Sequence, residues 1–450
     1  MVRVYIVDIV NPPIPRTPLE NWIKRKIGGK TGFLNRSDLE SYQLEKLQYT
    51  LNLAKEKSPF FQQKLKDYSA CLQNFENWQK LPFTTAEELT KNSLQMVTVS
   101  QGDIHRVVTL TTSGTSGIPK RCLFTKKDQE LTIDFFGIGM TSLTSKKDKV
   151  LILLPCERPG SVGDLLFLGL KQQKIESIKY GAVDDISVVM KLVKEQKITA
   201  MVGAPKQILG LARWAPVLGF SIPRTLRSVL LSTDHLPLAI SRSLENTWGC
   251  SVFNHYGMTE MGLGGGVDCQ AHYGMHLRES DLFFEIINPE TGQVLPDGES
   301  GEVVFTTLTR EGMPLIRYRT GDVSRFLPEP CLCGSTLKTL DWVRYRYTNI
   351  LHWDNSELTL ADLDEVLFAI PQVLDFCVEV YRKNKIELSF CVYVNQPDLK
   401  LEHIRSRLLT IEPLEKSIQT GKIIMNLEMK YGLPENFSSL AKRKIHFVNN

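Results

Sequence analysis

"TLTTSGTSGIPKR", residues 109–121, interleaves threonine, serine and glycine and closes on Pro119, Lys120 and Arg121. Gly114 and Gly117 permit tight turns in which backbone N–H groups converge on an anion. Thr111, Thr112, Ser113, Thr115 and Ser116 add hydroxyl donors, and Lys120 adds a charge. The stretch therefore reads as a phosphate loop, but not as a Walker loop. That pattern places lysine directly after its second glycine at the start of a helix, whereas Gly117 is followed by Ile118 and Pro119. Runs of Ser, Thr and Gly also make ordinary surface loops, so the neighbouring sequence has to decide.

Around the loop, residues 100–325 alternate between short apolar runs and amphipathic segments. "DKVLILLP", "ITAMVGAP" and "TLRSVLLST" read as buried strands, and "ISVVMKLVKEQK" between the first two reads as a helix. Strands alternating with helices predict an α/β fold whose sheet is largely parallel. Residues 17–90 read as helical, with Ser37 as the expected N-cap of a long helix. "LFFEIINPETGQVLPDGESGEVVFTTLT" reads as strand, turn, strand. After about residue 345 the pattern changes to helix, two alternating strands, helix and strand, a small α+β unit. We expect a large N-terminal domain over residues 1–346, with mixed or parallel sheets flanked by helices, and a small mobile domain over 347–450.

The chain has 450 residues, enough for more than one core, with 54 basic and 50 acidic residues and a net charge of +4. That balance gives no footprint for nucleic acid. No apolar run reaches the roughly 20 residues that span a bilayer, so no membrane segment is expected. The N-terminal "MVRVYIVDIVNPPIPRTP" reads as an edge strand or arm. Nine scattered cysteines form no disulfide framework and fit a reducing, cytoplasmic setting.

Two further motifs lie downstream of the loop. "NHYGMTEMG" (254–262) brings together an aromatic ring, Gly257, a hydroxyl and a carboxylate. Tyr256 can stack on a base, Thr259 can bond a phosphate and Glu260 can hold Mg²⁺. "RYRTGD" (317–322) ends in Asp322, a carboxylate able to accept from both hydroxyls of a ribose.

In this order and at these separations the three motifs resemble the adenylate-forming superfamily of acyl- and aryl-CoA ligases. "LAKEKSPFFQQKL", "EIINPETGQVLPDGESGEVVFTTLTREGMPLIRYRTGD" and "CLCG" resemble its phenylacetate–CoA ligase-like branch, and "LLPCERPGSVGDLL" resembles a less-studied subgroup of AMP-dependent ligases. The similarity covers residues 17–350 well and the C-terminal unit poorly. It implies an ATP-dependent enzyme that joins a carboxylic acid to AMP, releases pyrophosphate, and passes the acyl group to the thiol of CoA. By the same resemblance, Ser113, Gly114, Thr115, Ser116, Gly117 and Lys120 would hold the β- and γ-phosphates. Tyr256 and Gly257 would flank adenine, Thr259 would contact the α-phosphate, Glu260 would hold magnesium, and Asp322 with Arg346 would hold the ribose.

Departures from the family pattern sit in the C-terminal unit. Thr348 and Asn349 stand where acidic hinge residues are common, and "SSLAKRKIHFV" matches the family's lysine segment imperfectly. Lys442 is the expected active-site lysine, with Lys444 the alternate. A carrier-protein thiol in place of CoA, an adenylyltransferase, and an inactive nucleotide-binding module remain open alternatives, as does a homodimer.

"VDCQAHYGMH" and "CLCG" carry three cysteines and two histidines. Members of the branch carry a similar set, which implies a structural Zn²⁺ on Cys269, His276, Cys331 and Cys333, with His272 the alternate ligand. Four protein ligands would leave no open position for catalysis. The remaining cysteines (Cys71, Cys122, Cys156, Cys250, Cys377 and Cys391) read as ordinary buried thiols. The acyl pocket is expected among "GAP" (203–205), "STDHLP" (232–237) and "GLGGGV" (262–267). There Gly262, Gly264, Gly265 and Gly266 either leave room for an aromatic acid or form a mobile loop.

Overall fold

Lys149–Leu153 and Ala200–Gly203 are strands too short and too apolar to expose a face, and the chain buries them in the middle of a sheet. The computed structural model describes residues 14–29, 32–110, 119–221, 223–382 and 384–448. Ser113 to Gly117 of the expected phosphate loop, and residues 1–13 of the expected N-terminal arm, lie outside the described residues.

The largest sheet has eight strands. Glu176–Lys179, Lys149–Leu153, Ala200–Gly203, Ser228–Leu231 and Ser251–Tyr256 are adjacent in that order and parallel. Three antiparallel strands extend it: Gly266–Asp268, Met275–Leu277 and Thr339–Leu340. The helices between the parallel strands carry clear local signals. Asp185 caps Ile186–Glu195 by accepting from the backbone N–H groups of Ser187 and Val188. Pro205 opens Pro205–Trp214, where its missing N–H costs nothing. Lys126–Met140 begins with a reciprocal capping box between Thr125 and Asp128.

A second, four-stranded antiparallel sheet holds Leu282–Ile287, Gly301–Thr307, Tyr318–Ser324 and Tyr345–Arg346. Its last pairing sets Asp322 directly opposite Arg346. The expected α/β class, with mixed sheets flanked by helices and a smaller α+β unit at the C-terminus, is the observed one.

The N-terminal region is helical as expected, but the cap differs. Asn35, not Ser37, is the N-cap of Arg36–Lys57, and its side chain accepts from the Ser37 backbone N–H at 3.0 Å. Both residues are good caps. Asn35 has the extended backbone that the position requires, whereas Ser37 already lies in the first helical turn.

The C-terminal unit holds a four-stranded sheet in the order Ile423–Tyr431, Ile386–Val394, Val373–Arg382 and His446–Val448. The hairpin of Ile350–Trp353 with Ser356–Thr359, the helix Glu412–Gln419 and the strand His446–Val448 carry sequence signals too short for periodicity to find. That last strand runs parallel to Val373–Arg382, so the chain returns across the unit before it ends.

One buried apolar cluster continues from Leu151, Val229 and Ile208 to Phe368, Phe376 and Phe437. A Cβ on Gly210 would lie 2.5 Å from the Phe437 ring. Arg213 is buried at this contact, and its guanidinium donates to the backbone carbonyls of Phe368, Ile370 and Val373. Burial alone holds its pKa down to about 10.

Candidate active site

Tyr256 ends the last parallel strand, where open α/β sheets place their ligands. Gly257 follows because nothing larger fits: a Cβ there would lie 2.2 Å from the Leu263 carbonyl oxygen. The short helical turn Thr259–Met261 then points Glu260 inward and leaves Thr259 half-buried at the rim.

Glu260 is 2% exposed. It pairs with Lys120 and accepts from the Tyr318 hydroxyl at 3.2 Å. Burial alone would raise its pKa, but the Lys120 charge prevails and holds it below the usual carboxylate value. Asp322 accepts from the Tyr256 hydroxyl at 2.9 Å and is forked by Arg346, through Nε to Oδ1 and Nη2 to Oδ2. Burial and the Asp322 carboxylate push the Tyr256 phenol well up, so it stays a neutral donor. Burial disfavours the Arg346 cation, yet Asp322 more than offsets this and raises its pKa. Residues 120, 256, 260, 318, 322 and 346 thus form one centre of fixed, paired charges.

The C-terminal segment brings Lys442 within electrostatic reach of this centre. Lys442 stays solvent-exposed by area, although protein surrounds it. That surrounding mass pushes its pKa down, Arg346 adds repulsion, and Asp322, Asp234 and Glu260 pull the other way. Arg443 anchors the segment. Its backbone N–H donates to Asp234 at 3.2 Å, and its buried guanidinium pairs with Asp364 and stacks against Phe368 and Phe376. Asn349 holds the same segment, accepting from the Ile445 N–H at 2.7 Å. Lys444 is exposed.

The model of the AMP-binding enzyme family matches residues 41–308, more than half of the chain. The chain belongs to that family. It is 27% identical over 403 residues to the phenylacetate-coenzyme A ligase of Pseudomonas putida, covering 85% of this chain and 88% of the relative. The ligase of the same name from Thermus thermophilus is 26% identical over 379 residues, covering 81% and 83%. The resemblance to the phenylacetate–CoA ligase-like branch therefore extends along most of the chain. A crystal structure of 2-hydroxyisobutyryl-CoA ligase in the postadenylation state, in complex with R3-HIB-AMP, has the same fold. Its TM-score is 0.76 at 17% identity, covering 93% of this chain and 90% of that one.

Beside the family's nucleotide motifs lies a narrow apolar cavity of about 20 Å³, partly open to solvent. Leu154, Val202, Leu230 and His255 contribute from the ends of four parallel strands, and Phe135, Phe136 and Met140 from the helix Lys126–Met140. Ser232 and Val267 belong to the segments expected to line a pocket; the contributions from residues 135–140, 154, 162 and 166 were hidden in the sequence. The glycine run acts differently from the expected opening of space. A Cβ on Gly264 would meet the Phe135 ring at 2.5 Å, and one on Gly266 would meet Leu277 at 3.1 Å. These glycines admit the protein's own side chains, and through Phe135 they set the cavity wall.

Beside the antiparallel strands that extend the large sheet, the ligand atoms of Cys269, His276, Cys331 and Cys333 all lie within 4.8 Å of one another, and all four residues are buried. Cys269 Sγ is 3.6 Å from Cys331 Sγ, and Cys333 Sγ is 3.2 Å from His276 Nε2. Zn–S and Zn–N bonds of about 2.3 and 2.0 Å in a tetrahedron would give similar separations, so the four residues fit zinc. His272 turns away to Asp268, its Nδ1 3.0 Å from Oδ2. Of the other cysteines, Cys122 and Cys250 are buried as expected, whereas Cys71 and Cys377 are exposed, Cys377 at an outward-facing position of the strand Val373–Arg382.

Arg443 was not legible as a site residue, and Tyr318 and Asp234 stood inside the segments 317–322 and 232–237 with no role of their own. "AKRK" looks like any solvated basic end, and only the return of the last strand buries Arg443.

Proposed function

We propose that this protein is an AMP-forming carboxylate–CoA ligase that activates an aromatic acid through an acyl-adenylate. The observation that carries the reading is the gathering of Tyr256, Asp322 and Arg346 with Glu260 and Lys120 in one largely buried centre, beside an apolar cavity. In this reading Tyr256 and Gly257 flank adenine, and Asp322, oriented by Arg346, accepts from the ribose hydroxyls. Lys120 and the loop residues Ser113, Gly114, Thr115, Ser116 and Gly117 take the β- and γ-phosphates, and Thr259 takes the α-phosphate. Such a reaction depends on in-line positioning and on charges aimed at the phosphorus, more than on proton transfer.

Glu260 fits magnesium, because a hard cation prefers oxygen donors and this carboxylate is kept ionised. It would hold Mg²⁺, which supplies neutralisation of triphosphate charge when bound. Lys442 would reach the carboxylate of the acid and the α-phosphate, placed there by Arg443 and Asn349. Phe135 and Phe136 favour a flat, apolar acyl group over a short polar one. We divide the chain into a domain over residues 1–346 and a smaller mobile domain over 347–450, which would turn after adenylation to admit CoA. Cys269, His276, Cys331 and Cys333 would hold a structural zinc, and reduced thiols of this kind suit a cytoplasmic setting.

Release of pyrophosphate is to be measured from ATP and Mg²⁺ with a panel of carboxylic acids, with and without CoA. The expected result is acid-dependent release with formation of an acyl-CoA. Release that depends on acid but leaves CoA unacylated would move the acceptor to another thiol, such as that of a carrier protein. Tight ATP binding without release for any acid would make the chain a nucleotide-binding module and end the ligase reading.

A further inference from the structure

His255 and Tyr256 are consecutive on one strand, so their side chains leave opposite faces of the sheet. Tyr256 joins the nucleotide centre. His255 lies on the wall of the cavity, where almost every other lining group is carbon. Its Nδ1 is 2.8 Å from the hydroxyl of Ser232, a second wall residue. Its Nε2 is buried and has no hydrogen-bond partner among the described residues. The rings of Phe135 and Phe136 pack beside the imidazole at 6.2 and 5.8 Å between centroids. Folded proteins rarely leave a buried polar atom unpaired without a reason, and a polar atom on an apolar wall is how ligand pockets fix orientation.

The chemistry of the missing partner can be narrowed. Burial holds the imidazole pKa down to about 4, so the ring is neutral near pH 7 and one nitrogen donates while the other accepts. The Ser232 hydroxyl can serve Nδ1 in either role, so Nε2 can be the donor or the acceptor. A hydroxyl group on the ligand satisfies both cases. A second carboxylate could only accept, an ammonium could only donate, and either would carry charge into an apolar cavity.

We propose that His255, set by Ser232, recognises a hydroxyl substituent on the acyl group, so that the preferred acid is a hydroxylated aromatic carboxylic acid. This rests on the ligase reading above and names the substrate class of that same site. A site built to hydrogen-bond a substrate hydroxyl discriminates strongly against the analogue that lacks it, because its own polar group is then left unpaired.

The test uses the full chain with ATP, Mg²⁺ and CoA, and measures kcat and KM by pyrophosphate release. Matched acids are compared: phenylacetate with its three monohydroxy isomers, benzoate with the three hydroxybenzoates, and cinnamate with its ring-hydroxylated forms. At least one hydroxylated acid should exceed its parent about 10-fold or more in kcat/KM. His255→Phe should abolish or reverse that ratio mainly through KM. His255→Gln, which keeps a polar group, should retain part of it, and Ser232→Ala should weaken it without removing it. If His255→Phe fails to fold, the other two variants carry the same comparison. Preference for the parent acid in every pair, or equal losses for both members of a pair in the variants, overturns the proposal and leaves the ligase standing. Absence of acid-dependent pyrophosphate release from the whole panel overturns the ligase reading and this proposal together.

Discussion

Two neighbouring residues divide the site into chemically opposite halves. On the Tyr256 side both carboxylates have partners: Asp322 is held by Tyr256 and Arg346, and Glu260 by Lys120 and Tyr318. On the His255 side the wall is apolar, and the imidazole keeps one nitrogen without a partner among the described residues. The first half suits a ligand of fixed, highly charged structure, as ATP is. The second excludes charge and leaves one polar atom to read the acyl group. A single strand can serve both because successive side chains leave opposite faces.

Breaking the charged half should give the largest effect. Asp322→Ala and Glu260→Gln should each lower ATP–pyrophosphate exchange with a competent acid by about 10³-fold or more, since each removes a preorganised charge. Exchange that survived both changes would remove the basis of the nucleotide assignment. Lys442→Ala should come next, with a loss of about 10²-fold in exchange while ATP binding, read by equilibrium dialysis, is retained. Comparison with Lys444→Ala, expected near the wild-type rate, shows which lysine enters the centre.

Removing the cysteine cluster should sharpen the contrast in another way. Purified protein should contain about one zinc per chain by elemental analysis, and Cys333→Ser should lose it and melt at lower temperature. The cluster ties the segment after the Asp322 strand to the large sheet. The change should therefore weaken ATP binding more than acid selectivity.

The smallest expected effect lies on the cavity side and depends on pH. Folding lowers the His255 pKa from about 6.5 to about 4 through burial alone. Between those values the unfolded chain binds the extra proton, so stability rises with pH through the window and is lost on acidification. The part due to His255 is about 2 kcal/mol at about pH 5. Urea unfolding at about pH 7 and pH 5 should show that His255→Phe loses less stability on acidification than the wild type does. Equal losses in both proteins would place the titration elsewhere.

Much of the charged half was readable from the sequence because its residues come in short local motifs. "YGMTE" and "RYRTGD" announce a turn, a hydroxyl and a carboxylate within a few positions, and the parallel strands before them are plain apolar runs. The four zinc-type ligands were also legible, by residue type and family resemblance, although residues 269 and 331 lie far apart in the chain. The cavity was not. Phe135, Phe136 and Met140 belong to a helix that by itself looks like any amphipathic helix, and the glycine run that suggested an open pocket instead lets Phe135 approach. Nor could the sequence separate Asn35 from Ser37 as a cap, because two good capping residues stood within one turn.

The sequence by itself determined the class of fold, the family and the identity of the charged groups, because hydrophobic period and turn chemistry are local properties. Only the tertiary structure decided which groups face one another. The pairing of Tyr345–Arg346 with Tyr318–Ser324 sets Arg346 against Asp322. The return of the final strand packs Arg443 and brings Lys442 towards Asp322 and Glu260. The approach of the helix Lys126–Met140 to residues 262–267 leaves His255 on an apolar wall. Each of these depends on contacts between residues tens or hundreds of positions apart, where burial and packing, rather than local propensity, select the neighbour.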